Sequence, residues 1–155
     1  MKIGIIGHGF VGEALSKGLK NDVEIFKVDP KLKTSIEDLK EFNPETIFIC
    51  VPTPMYNDGI QDISILKQVA KDLKKNNLNS LVVLKSTVHP ANINDIKKII
   101  PSLVYNPEFL REKHAYEDFI NSNLIVFGGK KESSKKLVIA TLITLYTGYQ
   151  YFIEV

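Results

Sequence analysis

Cysteine and tryptophan are scarce in this sequence, and so are long runs of apolar residues and of residues with one sign of charge. The 155 residues contain one cysteine, Cys50, and no tryptophan. One cysteine cannot form an internal disulfide, which excludes a disulfide-stapled secreted domain and agrees with a reducing compartment. No apolar run exceeds the length of a strand, so a membrane span is not expected. The first predicted strand follows Met1 directly, so a signal peptide is not expected either. We therefore expect a cytoplasmic protein that has no membrane partner.

Charge of one sign is not concentrated anywhere either. The 20 basic and 18 acidic residues give a net charge of +2, and the lysines are spread along the chain. Without a basic arm, nucleic acid is not an expected partner. The length suits one domain that buries about 70% of its unfolded surface, and neither a repeat nor a low-complexity segment divides it. We therefore expect residues 1–155 to form a single domain.

The first informative feature is a glycine-rich segment, KIGIIGHGFVG, at the start of the chain. An apolar run leads into Gly7, Gly9 and Gly12 at G-x-G-x-x-G spacing, and helix-tolerant residues follow. Gly7 permits a sharp exit from a strand, Gly9 removes a Cβ where a pyrophosphate approaches, and Gly12 lets a helix lie close to the sheet. The phosphates would lie at the helix N-terminus, where unpaired N–H groups and the dipole favour anions.

An acidic residue follows this segment at the distance that a dinucleotide site requires. The predicted strand Val23–Val28 ends in Asp29, the position of a ribose-binding acid. Such an acid accepts hydrogen bonds from the ribose hydroxyls and repels the extra phosphate of NADP, so Asp29 predicts a preference for NAD. A glycine turn without a ligand is the alternative, and the strand–turn–helix context favours the dinucleotide.

Strands and helices alternate along the rest of the chain. This pattern predicts an α/β fold of the Rossmann type, with a doubly wound, mainly parallel sheet and a shortened region after the second strand. Ligands bind beyond the carboxyl ends of such strands, so five loops are expected to meet there: Gly7–Gly12, Asp29, Val51–Pro54, Ser86–Pro90 and Asn106–Glu112. The predicted helices are Phe10–Lys20, a short one capped by Thr34 or Ser35, Asp62–Asn76, Ala91–Ile100, one that follows a turn at Asn106-Pro107 and runs to about Asp118, and Leu137–Tyr146. The later predicted strands are Thr46–Val51, Leu81–Leu84, Leu103–Tyr105, Leu124–Phe127 and Tyr149–Ile153.

Five motifs in a fixed order carry a resemblance to a known family. They are GHGFVG, VPTP with a following DG, KSTV, NPEFLRE and LIVFGG. Over almost its whole length the chain resembles the N-terminal NAD-binding domain of the nucleotide-sugar 6-dehydrogenases, the UDP-glucose and GDP-mannose dehydrogenase family. Members of this family oxidise a sugar C6 alcohol to a carboxylate through an aldehyde and a cysteine thioester, and they use two NAD per sugar.

The resemblance implies roles for particular residues of this sequence. Those expected around the dinucleotide are Gly7, Gly9, Phe10, Val11, Gly12 and Asp29, with Thr53 and Thr87 near the nicotinamide side. Glu112 matches the family residue assigned to water activation and thioester hydrolysis, and Thr87 is placed with it as catalytic. The loop that lines the sugar nucleotide corresponds to Phe109, Leu110, Arg111 and Glu112.

The sequence departs from the family in four places, one of which is His89-Pro90 after KSTV, where the family has a proline and glycine pattern. Only one short helix fits between Asp29 and the TIFICV strand, where the family carries a further strand and helices. Lys113 and His114 follow FLRE in place of glycine and a small residue. The central helical segment and the C-terminal UDP-binding domain, which supply the nucleophilic cysteine and most of the sugar-nucleotide pocket, have no counterpart in these residues. The expected protein is a UDP-glucose 6-dehydrogenase-like oxidoreductase that is incomplete alone, with UDP-glucose favoured over GDP-mannose.

Several alternatives stay open at this point. The chain fits a domain cut from a longer enzyme, a naturally short homologue, or half of a split enzyme with a partner chain. Its apolar end, Leu137–Tyr146 and Tyr149–Ile153, predicts self-association as a homodimer. A catalytically silent dinucleotide-binding or interaction module belongs to a different function class, and another oxidoreductase on the same fold is a third possibility.

The remaining reactive side chains have plainer interpretations. Cys50 lies in an apolar strand, where cysteine behaves as a small hydrophobe. His8, between two glycines, is expected to be an exposed loop histidine, with contact to a phosphate as the alternative. His89 and His114 have no partner at a metal-ligand spacing, so no metal site is expected.

Overall fold

The structure, a computed structural model, describes residues 1–122, 124–133, 135–136 and 151–154. In these residues the strands are β1 (Lys2–Ile6), β2 (Glu24–Val28), β3 (Thr46–Ile49), β4 (Leu81–Leu84), β5 (Val104–Tyr105), β6 (Leu124–Phe127) and β7 (Tyr151–Glu154). The α-helices with defined bounds are α1 (Phe10–Gly18), α2 (Ile36–Phe42), α3 (Ser64–Lys75), α4 (Pro90–Ile99) and α5 (Ala115–Ile120).

The first five strands form one parallel sheet in the order β2-β1-β3-β4-β5. The central strands are short apolar runs that are buried along most of their length, as expected for a parallel sheet covered on both faces. Because β1 lies between β2 and β3, the chain reverses its direction of strand addition at β1, where a doubly wound sheet places its ligand crevice. The predicted doubly wound α/β fold is therefore confirmed.

Two apolar cores lie on opposite faces of this sheet. One contains Ile47, Ile49 and Leu84 of the sheet together with Leu66 of α3 and Ile96 of α4. The other contains strand residues that alternate with these, and it is covered by α1 and α5. Its sheet and helix members include Ile3, Ile5, Phe48, Val83, Leu15 and Phe119. The alternation follows from the two-residue period of a strand, which sends successive side chains to opposite faces.

The connection from β2 to β3 is short, as the sequence predicts. It contains a 3-10 turn at Pro30–Leu32 and then α2. Ser35 is the N-cap of α2 and forms a capping box with Asp38. Thr34, the alternative cap, instead accepts a hydrogen bond from the Asp29 N–H and donates to the Lys27 carbonyl. With no further strand in this connection, β2 is the edge of the five-stranded sheet.

The helix predicted to follow a turn at Asn106-Pro107 and to run to about Asp118 is wrong in its bounds. The chain stays irregular through Leu110, forms a 3-10 turn at Glu112–His114, and becomes α-helical only over α5. Pro107 disfavours the helical conformation at the residue before it. Polar groups of the segment are held by distant partners, since Asn106 donates to the Val126 carbonyl and the Arg111 N–H donates to Asp118.

The end of the described chain adds a second pair of strands. β6 and β7 pair in parallel, and Tyr105 and Gly128 form an antiparallel bridge between β5 and the residue after β6. The predicted helix Leu137–Tyr146 lies outside the described residues, and the predicted last strand appears as β7. Self-association through this apolar end stays a prediction. No helix in the part of the chain that the structure describes is long and apolar enough to cross a membrane.

Candidate dinucleotide-binding site

The carboxyl ends of the parallel strands bring the predicted loops to one edge of the sheet. Contacts join each loop to a neighbour: the loop after β1 contacts that after β2, and the loop after β3 contacts that after β4. A buried ion pair then joins the end of β4 to the segment after β5. The five loops singled out from sequence therefore form one continuous rim.

Two of the three motif glycines are required by close backbone packing. Gly7 has a φ of 91°, in the region that favours glycine, and a Cβ there would lie 2.7 Å from the Cys50 carbonyl oxygen. A Cβ on Gly12 would overlap the carbonyl oxygen of Gly7. The loop at Gly7 and the first turn of α1 therefore pack closely against each other, and Gly7 also packs against the end of β3.

Gly9 has a different environment, because a Cβ there would meet no atom of the described residues within 4 Å. Its φ of −82° and ψ of −165° suit any residue. Neither packing nor conformation in the protein itself therefore requires glycine at this position. The open space over Gly9 fits a site where a ligand approaches the backbone.

The N-terminus of α1 is open as well. Gly9 is its N-cap and provides no side-chain hydrogen bond. The first bond of the helix runs from the Glu13 N–H to the Gly9 carbonyl at 2.9 Å, so the N–H groups of Phe10, Val11 and Gly12 have no acceptor within the helix. These N–H groups and the helix dipole make the position suitable for a phosphate.

Asp29 lies at the side of this opening. One carboxylate oxygen accepts the His8 N–H at 2.7 Å, and the other accepts the Lys31 N–H at 2.9 Å. These two backbone hydrogen bonds, chiefly the one from His8, hold the pKa of Asp29 below its usual value. A carboxylate offers about four acceptor positions, so capacity remains for the two hydroxyls of a ribose. The ionised, preoriented carboxylate fits the role predicted from sequence.

The loops after β3 and β4 bring Thr53 and Thr87 together. The Thr53 hydroxyl donates to the Thr87 carbonyl at 2.7 Å. Ser86, which precedes Thr87, is buried and donates its hydroxyl to the Val51 carbonyl at 2.7 Å. The two threonines expected near one end of the dinucleotide are therefore neighbours, in loops that follow adjacent strands.

A buried polar cluster at the ends of β4 and β5 was missed by sequence reasoning. Lys85 is only 4% exposed, donates to the Asn106 side chain at 2.8 Å, and forms an ion pair with Glu108, which is 14% exposed. The ammonium also lies 5.8 Å from the ring centres of Phe48 and Phe119. Burial lowers the pKa of Lys85 to about 8. The available signal was a lysine directly after the apolar run LVVL, which needs a buried partner.

The segment predicted to line a substrate has mixed exposure. The Phe109 ring is 67% exposed, whereas Leu110 packs partly against one of the two cores. Arg111 forms a two-pronged ion pair with Asp118, with Nε and Nη2 at 3.0 and 2.7 Å from the two carboxylate oxygens. Glu112 is exposed and begins the 3-10 turn. Of the two acids in NPEFLRE, Glu108 is the one that the described contacts join to the loop after β4.

The lone cysteine and the motif histidine also have defined places. Cys50 is buried, and burial raises the pKa of its thiol to about 12, so it belongs to the core as expected and is not a nucleophile. His8 is half-buried rather than exposed, and its Nε2 is a buried atom without a hydrogen-bond partner among the described residues. The described residues contain no group of three or more His, Cys, Asp or Glu that would hold a metal ion.

Comparison with known proteins adds independent information. The family model described as "UDP-glucose/GDP-mannose dehydrogenase family, NAD binding domain" matches residues 16–150. The chain is 31% identical to a UDP-glucose 6-dehydrogenase of Rickettsia typhi, in an alignment that covers 89% of this chain and 41% of that protein. The first curated relatives extend well beyond it, because the matched part is between 25% and 41% of their length.

Solved structures show the same fold. A UDP-glucose dehydrogenase from Pyrobaculum islandicum matches with a TM-score of 0.76 at 22% identity, over 99% of this chain and 46% of that one. A GDP-mannose dehydrogenase from Pseudomonas aeruginosa matches with a TM-score of 0.73, also at 22% identity and the same coverage. The family match begins after the glycine motif, so the reading of Gly7, Gly9 and Gly12 rests on the geometry described above.

Proposed function

The chain belongs to the UDP-glucose/GDP-mannose dehydrogenase family as its NAD-binding domain, and on that premise we propose that it serves a nucleotide-sugar 6-dehydrogenase. Such a dehydrogenase oxidises a sugar C6 alcohol to a carboxylate and uses two NAD per sugar. NAD supplies the hydride acceptor when it is bound, and this chain supplies the surface that holds and orients it. UDP-glucose is the proposed sugar nucleotide, with GDP-mannose as the alternative.

The observation that carries this proposal is the open N-terminus of α1 beside an ionised carboxylate. Gly9 leaves space over free N–H groups, and Asp29 is fixed next to them by the His8 N–H. The pairing suits a pyrophosphate and an adjoining ribose, while an additional phosphate on that ribose would be repelled. The residues proposed to hold the dinucleotide are Gly7, Gly9, Phe10, Val11, Gly12, Asp29, Thr53 and Thr87.

The segment after β5 is the proposed contact with the sugar nucleotide. Its residues are Phe109, Leu110, Arg111 and Glu112, and the exposure of the Phe109 ring and the Glu112 carboxylate supports access to a ligand. We assign water activation to Glu112, since an exposed carboxylate near the reacting carbon would act as a general base. Thr87 is proposed to take part at the nicotinamide side.

One observation favours a second candidate, a dinucleotide-binding module without dehydrogenase activity of its own. The family's thioester step needs a cysteine nucleophile, and Cys50, the one cysteine in these 155 residues, is buried with a raised pKa. Under the first candidate, the nucleophile comes from another domain or from a different chain. The two candidates share NAD binding and differ in whether any assembly containing this chain oxidises a sugar nucleotide.

Titration of the protein into NADH, followed by nicotinamide fluorescence, tests the shared part. Asp29→Asn keeps the size of the side chain and removes its charge, so we expect NADH affinity to fall about tenfold. NADPH should bind wild type more weakly than NADH does, and the variant should discriminate less between the two. Asp22→Asn is the matched control, because Asp22 is an exposed turn residue before β2, at the opposite end of that strand from Asp29. A folded wild-type protein that does not bind NADH would contradict the proposal.

Adding UDP-glucose, or GDP-mannose, with NAD separates the two candidates. The dehydrogenase candidate predicts NADH formation once the cysteine-bearing portion of a relative is supplied. The module candidate predicts none, with NADH binding intact.

A further inference from the structure

Gln61 occupies an unusual position between two of the loops on the rim. After Pro54 the chain forms a small hairpin, in which Met55 and Gln61 make an antiparallel bridge and Gly59 turns with a φ of 81°. This turn returns the chain to the base of the loop after β3. Gln61 is thereby placed beside Thr53, although the two are eight positions apart in the sequence.

Both ends of the Gln61 side-chain amide make hydrogen bonds, and the Nε2 end contacts both loops. Its Nε2 donates to the Thr87 carbonyl at 2.9 Å and to the Thr53 carbonyl at 3.3 Å. Its Oε1 accepts the His89 N–H at 2.9 Å and the Asn92 amide at 3.3 Å. One side chain therefore links the loop after β3, the loop after β4 and the first turn of α4.

These contacts fix the backbone from the Thr87 carbonyl to the His89 N–H. Its carbonyl receives the Thr53 hydroxyl as well as Gln61, and the N–H of His89, two residues later, is held by the other end of the same amide. This set of hydrogen bonds requires two donors and an acceptor on one planar group, and among side chains of this length only glutamine has them. Asparagine is one methylene shorter, and glutamate cannot donate.

We propose that Gln61 is a positioning residue for the nicotinamide end of the site. It sets the separation and orientation of the loops that carry Thr53 and Thr87, and it has no contact with the part of the rim that holds Asp29 among the described residues. The proposal rests on the proposed function, which places those threonines at the nicotinamide side. It predicts that Gln61 affects binding of a whole dinucleotide and not of its adenosine half.

The test compares two probes, NADH and ADP-ribose, on wild type, Gln61→Ala and Gln61→Glu. ADP-ribose contains the adenosine, the pyrophosphate and a ribose but lacks the nicotinamide. We expect Gln61→Ala to weaken NADH binding about tenfold, as for loss of more than one hydrogen bond, and to change ADP-ribose affinity less than about twofold. Gln61→Glu should do at least as much, because it sets a carboxylate against two carbonyls. The emission spectrum of bound NADH should shift in both variants.

Gln68→Ala is the matched control, since Gln68 lies exposed on α3 and bonds only Asp72 among the described residues. It should leave both affinities unchanged. Equal losses for NADH and ADP-ribose in Gln61→Ala would show a general structural role and overturn the inference, as would unchanged NADH binding. If wild type binds neither probe, the proposed function fails; if wild type binds both and only the Gln61 contrast is missing, the inference alone fails.

Discussion

Gly9→Ala is the substitution that best distinguishes a glycine required for ligand binding from a glycine required for folding. In the part of the chain that the structure describes, a Cβ at Gly9 meets no atom within 4 Å, and the backbone angles there are ordinary. The expected cost to stability is that of a poorer N-cap, at most about 1 kcal/mol, which corresponds to a fall in Tm of about 2–4 °C for a chain of this size. A methyl group over the free N–H groups of α1 would nevertheless obstruct a pyrophosphate, so NADH affinity should fall at least about tenfold.

Gly12→Ala is the comparison that gives this prediction its force. Its Cβ would overlap the Gly7 carbonyl oxygen, and an overpacked contact of that kind costs about 1–3 kcal/mol or more. Thermal unfolding and NADH titration of both variants should therefore show stability loss mainly in Gly12→Ala and loss of binding in both. If Gly9→Ala bound NADH as wild type does, the pyrophosphate would not lie at the N-terminus of α1.

Two further predictions concern ion pairs near the rim. The first is a double-mutant cycle of Lys85→Met and Glu108→Gln, measured by chemical denaturation. Each single variant should lose about 3–5 kcal/mol of unfolding free energy, because it leaves a buried charge without its partner, and the double variant should lose less than the sum of the two. Additive losses would contradict a direct ion pair. The pKa of Asp118 is held at about 2 by the Arg111 guanidinium and N–H, so its contribution to stability is complete above about pH 4 and is lost as the pH falls toward 2. NMR titration should show that low pKa, and Arg111→Gln should raise it; an unchanged pKa in the variant would refute the assignment.

The elements that sequence predicted well are those set by short-range patterns. The strand before Gly7, the turn and α1 follow from glycine spacing and apolar periodicity, and the N-cap of α2 is Ser35, one of the two candidates that the sequence offers. Asp29 was identified because its distance from the glycines is fixed by one strand–helix–strand unit. For these features, local sequence and global fold agree.

The features that sequence missed depend on contacts between distant residues. Lys85 and Glu108 are 23 positions apart, and nothing local to either shows that two parallel strands end side by side and bury the pair. The segment after Asn106 was expected to be helical because its residues tolerate a helix, but contacts with Val126 and Asp118 hold it in another form. The role of Gln61 likewise appears only once a hairpin has returned it to Thr53.

The most direct test of the central claim is an NMR titration of the backbone amides with NADH. The account predicts that the largest shifts fall on His8–Gly12 and on the residues around Asp29, with smaller shifts at Thr53 and Thr87. The amides at the amino ends of the same strands, such as Glu45 and Leu81, should not move. No shifts at His8–Gly12, or shifts confined to the amino ends of the strands, would contradict the conclusion that this edge of the sheet binds the dinucleotide.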